Sequence, residues 1–152
     1  MCDCREFEDL SAIFQPLLVI SLPKGTRLFH GGALPIGKSL QDVPCGMWLS
    51  TDSNRARQYA CFGANGSNVA LLEVELIAET PVFDLVKTPL GHLRDHYGPY
   101  LPSHRSMNRD MCCTFDVISP PIFGAIYNQG EEIFLCKLDV IASICAHQAV
   151  DC

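Results

Sequence analysis

A histidine, a tyrosine and a pair of glutamates stand out in this chain for the residues beside them. Thr26-Arg27-Leu28-Phe29-His30-Gly31-Gly32 is a strand pattern that ends on an imidazole and at once loses its side chains. Glycine leaves space in front of the ring and lets the backbone come close to a ligand, since no Cβ intervenes. Taken alone, such a pair is more often a plain turn with a solvated histidine. Tyr59 lies on an apolar helix face, where a ring by itself usually packs a core. Glu131-Glu132 heads the apolar run Ile133-Phe134-Leu135-Cys136. A carboxylate there is by itself usually a solvated strand start, and it becomes notable as a polar group placed at a strand end.

The elements that must position these residues follow from periodicity. Phe7, Leu10, Ile13, Phe14 and Leu17 recur at helical spacing, which predicts a helix from about Arg5 to Phe14, stopped by Pro16. Leu17-Leu18-Val19-Ile20 suits a short strand or a helix tail. Pro23-Lys24-Gly25 is turn chemistry that launches the strand to His30. Gly32 to Pro44 has no period and reads as a loop over whatever His30 faces. Gly46-Met47-Trp48-Leu49-Ser50 is a second strand. The N-cap cluster Thr51-Asp52-Ser53 follows, then a helix with Ala56, Tyr59 and Ala60 on one face and Gly63 as its C-terminal glycine. Leu72, Val74 and Leu76 alternate with Glu73 and Glu75, the clearest half-buried strand in the chain. Pro81 to Leu85 is another short strand. Thr88 to His104 reads as loop with at most one helical turn, and Met111 to Ile118 fits helix or strand equally. Ile122 to Ile126 leads through Tyr127-Asn128-Gln129-Gly130 to the glutamate strand, and Ile141 to Val150 is an apolar tail, strand or short helix, packing the end of the domain.

These elements predict one α+β domain over all 152 residues, with many short strands and few flanking helices. With 48% hydrophobic and 18% charged residues the chain is globular. A net charge of -6 argues against nucleic-acid backbone binding as its main task. No apolar run is long enough to span a bilayer, so no membrane partner is expected. With nine cysteines but neither paired CxxC units nor an HxxxH partner read in the sequence, no metal is expected. An odd count, apolar neighbours and a polar, acidic start predict free thiols in a reducing, cytoplasmic compartment, with Cys2-x-Cys4 in a frayed terminus. A protein delivered into another cell would carry the same features. His92, His96, His104 and His147 are left as surface or loop residues.

In order and spacing, the three segments resemble the ADP-ribosyltransferase fold. The likeness is to its His-Tyr-Glu branch, which includes diphtheria-toxin-like enzymes and poly(ADP-ribose) polymerases. Leu28-Phe29-His30-Gly31 is similar to the first motif of that branch. Gly46 to Ser50, with Tyr59-Ala60 on the following helix, is similar to the second, and Glu132-Ile133-Phe134-Leu135 to the third. The likeness runs from about Pro23 to Leu138. Ser50-Thr51 departs from it and resembles the Ser-Thr-Ser motif of the arginine-type branch. Gly130 stands two before Glu132 where some branches have Glu or Gln, whereas counting from Glu131 gives Gln129-Gly130-Glu131. Strand neighbours face opposite ways, so which of Glu131 and Glu132 enters the site stays open.

The resemblance implies a split-sheet core and a mono-ADP-ribosyltransferase that uses NAD as co-substrate. Its acceptor would be macromolecular, a protein in preference to a nucleic acid. Glu132, with Glu131 as its rival, would stabilise the oxocarbenium formed as the nicotinamide–ribose bond breaks. His30 would hydrogen-bond the ribose, the backbone of Gly31 would hold the nicotinamide amide, and Tyr59 would stack on the ring. Trp48 would be a second wall or core, Ser50 would orient the glutamate, and Thr51 falls on the same cofactor side. Tyr127, Asn128 and Gln129 would contact the acceptor. An NAD glycohydrolase, or an inactive module binding NAD, ADP-ribose or a protein, uses the same residues.

Overall fold

The computed structural model describes residues 2–32, 40–43, 45–62, 69–85, 91–98, 105–127 and 131–152. Among them, eight strands form one mixed sheet. They are β1 (Val19–Leu22), β2 (Arg27–Gly32), β3 (Met47–Ser50), β4 (Val69–Leu76), β5 (Thr80–Asp84), β6 (Gly124–Tyr127), β7 (Glu132–Leu135) and β8 (Ala142–Val150). The α-helices are α1 (Ser11–Phe14), α2 (Ser53–Phe62), α3 (Gly91–Tyr97), α4 (Arg105–Val117) and α5 (Leu138–Ile141). The class is α+β. The strand order is β1-β5-β6-β7-β3-β2-β4-β8. Its pairs are antiparallel apart from β5 with β6.

The sheet is nearly divided in its middle. β2 registers with β4 over six residue pairs and β3 with β7 over four, but β2 and β3 meet only at Phe29 and Ser50. Beyond that pair the two strands separate and leave a cleft between the halves. Alternation along β7 sends Phe134 into one core with Phe14, Phe83 and Phe115, and sends Ile133 and Leu135 into a second with Leu28, Leu72 and Val74. The strand carrying Glu132 is therefore anchored on both faces.

Gly31 is explained by packing. A Cβ at this position would lie 1.8 Å from the Ala56 carbonyl oxygen and 2.9 Å from the Ala60 Cβ. The backbone of α2 thus lies directly on β2, with the small residues Ala56 and Ala60 buried against it. Asp52 starts that helix: its carboxylate accepts from Asn54 N–H at 2.9 Å and its carbonyl from Ala56 N–H at 3.1 Å. Gly63, expected to end it, lies outside the described residues.

Several expectations are corrected. The predicted N-terminal helix shrinks to α1, because Glu8 N–H and Leu10 N–H bond instead to the side chains of Asp110 and Thr114 on α4. Asp110, itself buried, also accepts from the Tyr97 hydroxyl at 2.7 Å. Local helical periodicity lost to these long-range bonds. The region 88–104, expected to be loop, contains the seven-residue α3. Of the two forms open for the tail from Ile141, strand or short helix, the structure has the strand, an edge strand paired with β4 and mostly exposed.

The largest correction concerns the cysteines. Eight of the nine are paired, as Cys2–Cys45, Cys4–Cys113, Cys61–Cys152 and Cys112–Cys136, and only Cys145 is free. Apolar surroundings suit a half-cystine as well as a free thiol, so sequence context did not separate the two. The Cys2-x-Cys4 terminus is pinned by two of these bonds. Free thiols were one of the two grounds for expecting a reducing compartment, and that one is removed.

Candidate active site

The cleft between β2 and β3 holds a cavity of about 160 Å³. Phe29, His30, Gly31, Trp48, Leu49, Ser50, Ala56, Tyr59 and Glu132 line it. Three segments far apart in the chain, β2, the β3–α2 unit and β7, converge here because the sheet splits at Phe29–Ser50 and α2 lies across the gap. Ser50 is also the direct cross-strand partner of Glu132, so the two share a face.

His30 spans the cleft. Its Nδ1–H donates to the Trp48 carbonyl at 2.7 Å, which fixes the tautomer and leaves Nε2 as an acceptor. Burial pushes the imidazole pKa down, opposed in part by that hydrogen bond. His30 is thus neutral near pH 7. Its folded pKa lies below the ordinary 6.5, so its stabilising contribution is complete above 6.5 and is lost as pH falls from there through the folded value. His30→Gln is accordingly expected to melt with a flatter dependence on pH than the wild type between about pH 7 and 5. Parallel melting curves for the two proteins would refute the assignment.

The two glutamates are separated by burial. Glu132 is 5% exposed and faces the cavity, whereas the Glu131 side chain is 53% exposed and lies outside it. Glu132 accepts a short hydrogen bond from the Tyr59 hydroxyl through Oε1. Burial above all, then the hydrogen bond to Glu132 and its negative charge, raise the Tyr59 pKa and keep the phenol protonated as donor.

Arg55 was missed in the sequence. It stands one turn before Tyr59 on α2, and its Nη1 lies 2.9 Å from Glu131 Oε2 and its Nη2 3.8 Å from Glu132 Oε1. Its guanidinium carbon lies 5.8 Å from the Tyr59 ring centroid. The i, i+4 relation of Arg55 to Tyr59 was available in the sequence as a signal. What Arg55 reaches was not, because both glutamates are distant in the chain.

Of the other expected residues, Trp48 and Ser50 line the cavity and Thr51 does not. The Trp48 ring donates to Asn108 Oδ1 at 2.9 Å and packs on Tyr127 and Phe134, so it belongs to the core beneath the site. Its contribution above is the carbonyl that holds His30. Ser50 is buried, and its Oγ accepts from Asp52 N–H at 3.0 Å, which ties β3 to the start of α2. Thr51 is exposed and does not line the cavity. Tyr127 is buried against Trp48, which removes it from any acceptor-facing surface. Asn128 and Gln129 lie outside the described residues. The expectation of no HxxxH pair is corrected: His92 and His96 stand four apart on α3, a spacing compatible with metal ligation. Even so, no three His, Cys, Asp or Glu among the described residues are grouped to hold a metal ion. No helix among the described residues is long and apolar enough to cross a membrane.

Comparison with protein-family models, with curated proteins and with solved structures finds no match. The site therefore rests on its own geometry.

Proposed function

We propose that this chain is a mono-ADP-ribosyltransferase of the His-Tyr-Glu type, which cleaves NAD and transfers ADP-ribose to a macromolecular acceptor, preferably a protein. One observation carries the reading: His30, Tyr59 and Glu132, from three distant segments, line a single cavity. Its volume, about 160 Å³, is that of cavities which take one six-membered ring, so it accommodates the nicotinamide and not the whole dinucleotide. The Tyr59 ring forms one wall for the cationic pyridinium. The Nε2 of neutral His30 accepts a hydrogen bond from a ribose hydroxyl.

In the reaction the bond from ribose C1′ to the nicotinamide nitrogen breaks, and its electron pair neutralises the pyridinium. The Glu132 carboxylate stabilises the oxocarbenium left behind. An acceptor nucleophile then bonds C1′ and releases its proton to solvent. Eight paired cysteines fit a chain that folds under oxidising conditions. The setting we propose is therefore outside the reducing cytosol, or in a target cell reached after folding.

A glycohydrolase is the second reading. It is favoured by the burial of Tyr127, one of the residues expected to greet an acceptor. The deciding measurement follows nicotinamide and free ADP-ribose from labelled NAD, with and without added protein. Label on protein is the expected result. Stoichiometric free ADP-ribose in the presence of protein favours hydrolysis. Tight NAD binding by calorimetry, with no nicotinamide released over hours, leaves only a binding module.

A further inference from the structure

We infer that Arg55 is the anion-binding residue of this site, receiving the diphosphate of the dinucleotide whose pyridine ring fills the cavity. This rests on the NAD reading above. A cavity of about 160 Å³ leaves the ribose–diphosphate–adenosine portion outside, where Glu131, next to the lining residue Glu132, is exposed beside Tyr59's neighbour Arg55. The cation that meets both Glu131 and Tyr59 is Arg55.

Its present contacts leave it incompletely satisfied. One guanidinium nitrogen makes a good contact to Glu131 at 2.9 Å, and a second lies 3.8 Å from Glu132. Nε is buried and has no hydrogen-bond partner among the described residues. A guanidinium fork is built to donate two parallel bonds to one oxyanion, and here it is divided between two carboxylates. The Arg55 side chain is 33% exposed and Glu131 53%, so their ion pair is screened by solvent and adds little to hold the arginine in place. A diphosphate offers Arg55 a bidentate partner carrying more charge.

The exchange has a chemical consequence. Arg55 beside Glu132 offsets part of the negative charge that the oxocarbenium needs. Drawing Arg55 toward the diphosphate removes that offset only when a complete dinucleotide is bound. Contact with a remote part of the substrate thereby promotes the bond cleavage itself.

The test compares NAD with nicotinamide riboside, which has the same scissile bond and no phosphate. In wild type, kcat/KM for nicotinamide release should favour NAD. Arg55→Ala is expected to shrink that preference by about 30-fold, as for loss of a charged hydrogen-bond pair, and Arg55→Lys to shrink it less. Inorganic pyrophosphate should raise the KM of folded wild type for NAD more than for the riboside, a readout that needs no variant to fold. An unchanged preference in Arg55→Ala, or equal inhibition of both substrates by pyrophosphate, overturns the role of Arg55 and leaves the NAD reading standing. Release of nicotinamide from neither substrate by wild type removes the NAD reading, and this inference falls with it.

Discussion

Glu132→Gln is expected to lower nicotinamide release from NAD by about 100-fold or more, the loss that follows removal of one group aimed at developing charge, or about 3 kcal/mol in the barrier. The substitution is nearly isosteric. It keeps an oxygen to accept from the Tyr59 hydroxyl and removes only the charge. Glu131→Gln should stay within about 5-fold of wild type, since its pair with Arg55 is half in solvent and such pairs contribute about 0–1 kcal/mol. The contrast is the informative part. If both variants turn over like wild type, the carboxylate does not stabilise the reaction and the enzyme reading is lost. If Glu131→Gln is the inactive one, the burial that distinguishes the two acids has been misjudged.

Reduction of the disulfides should have the second large effect. The bonds close sequence separations of 43, 109, 91 and 24 residues. In the chain-entropy picture each contributes about 3–5 kcal/mol by restricting the unfolded chain. Together that matches or exceeds the usual net stability of a domain, about 5–15 kcal/mol. A reducing agent is therefore expected to lower the melting temperature by more than about 10 °C or to prevent folding. Two of the bonds also tether the site. Cys61 ties the end of α2, which carries Arg55 and Tyr59, to Cys152, and Cys136 ties the residue after β7 to Cys112 on α4. Thiol titration of the unfolded, unreduced protein should count one free cysteine, Cys145. Nine titratable thiols, or a melting temperature indifferent to reductant, would show that the pairing is not made.

Sequence and tertiary structure divide the account along a physical line. The strands of His30, Trp48 and Glu132, the helix of Tyr59 and the alternation of Leu72, Val74 and Leu76 were legible because each is written in neighbouring residues, as a period or a cap. The approach of α2 to β2 was half legible: Gly31 announced a close contact, and only packing showed that Ala56 is what comes close. The N-terminal segment was misread because side chains on α4, about a hundred positions away, took its backbone hydrogens.

At the site, the sequence by itself determined which residue types were present, in what order, and on which kinds of element. It could not choose between Glu131 and Glu132, since strand neighbours differ only in the face they present, and a face acquires meaning only when the sheet has packed. Arg55 and the disulfide partners escaped for the same reason. The Tyr127 ring, expected to face an acceptor, turned out to be buried, and Trp48, for which both wall and core were open, packs against it. The neutral state of His30 was likewise decided by tertiary burial, which outweighs the opposing hydrogen bond to the Trp48 carbonyl across the cleft. Periodicity is local and survives in the sequence, whereas burial and partnership depend on residues distant in the chain and exist only once it has folded.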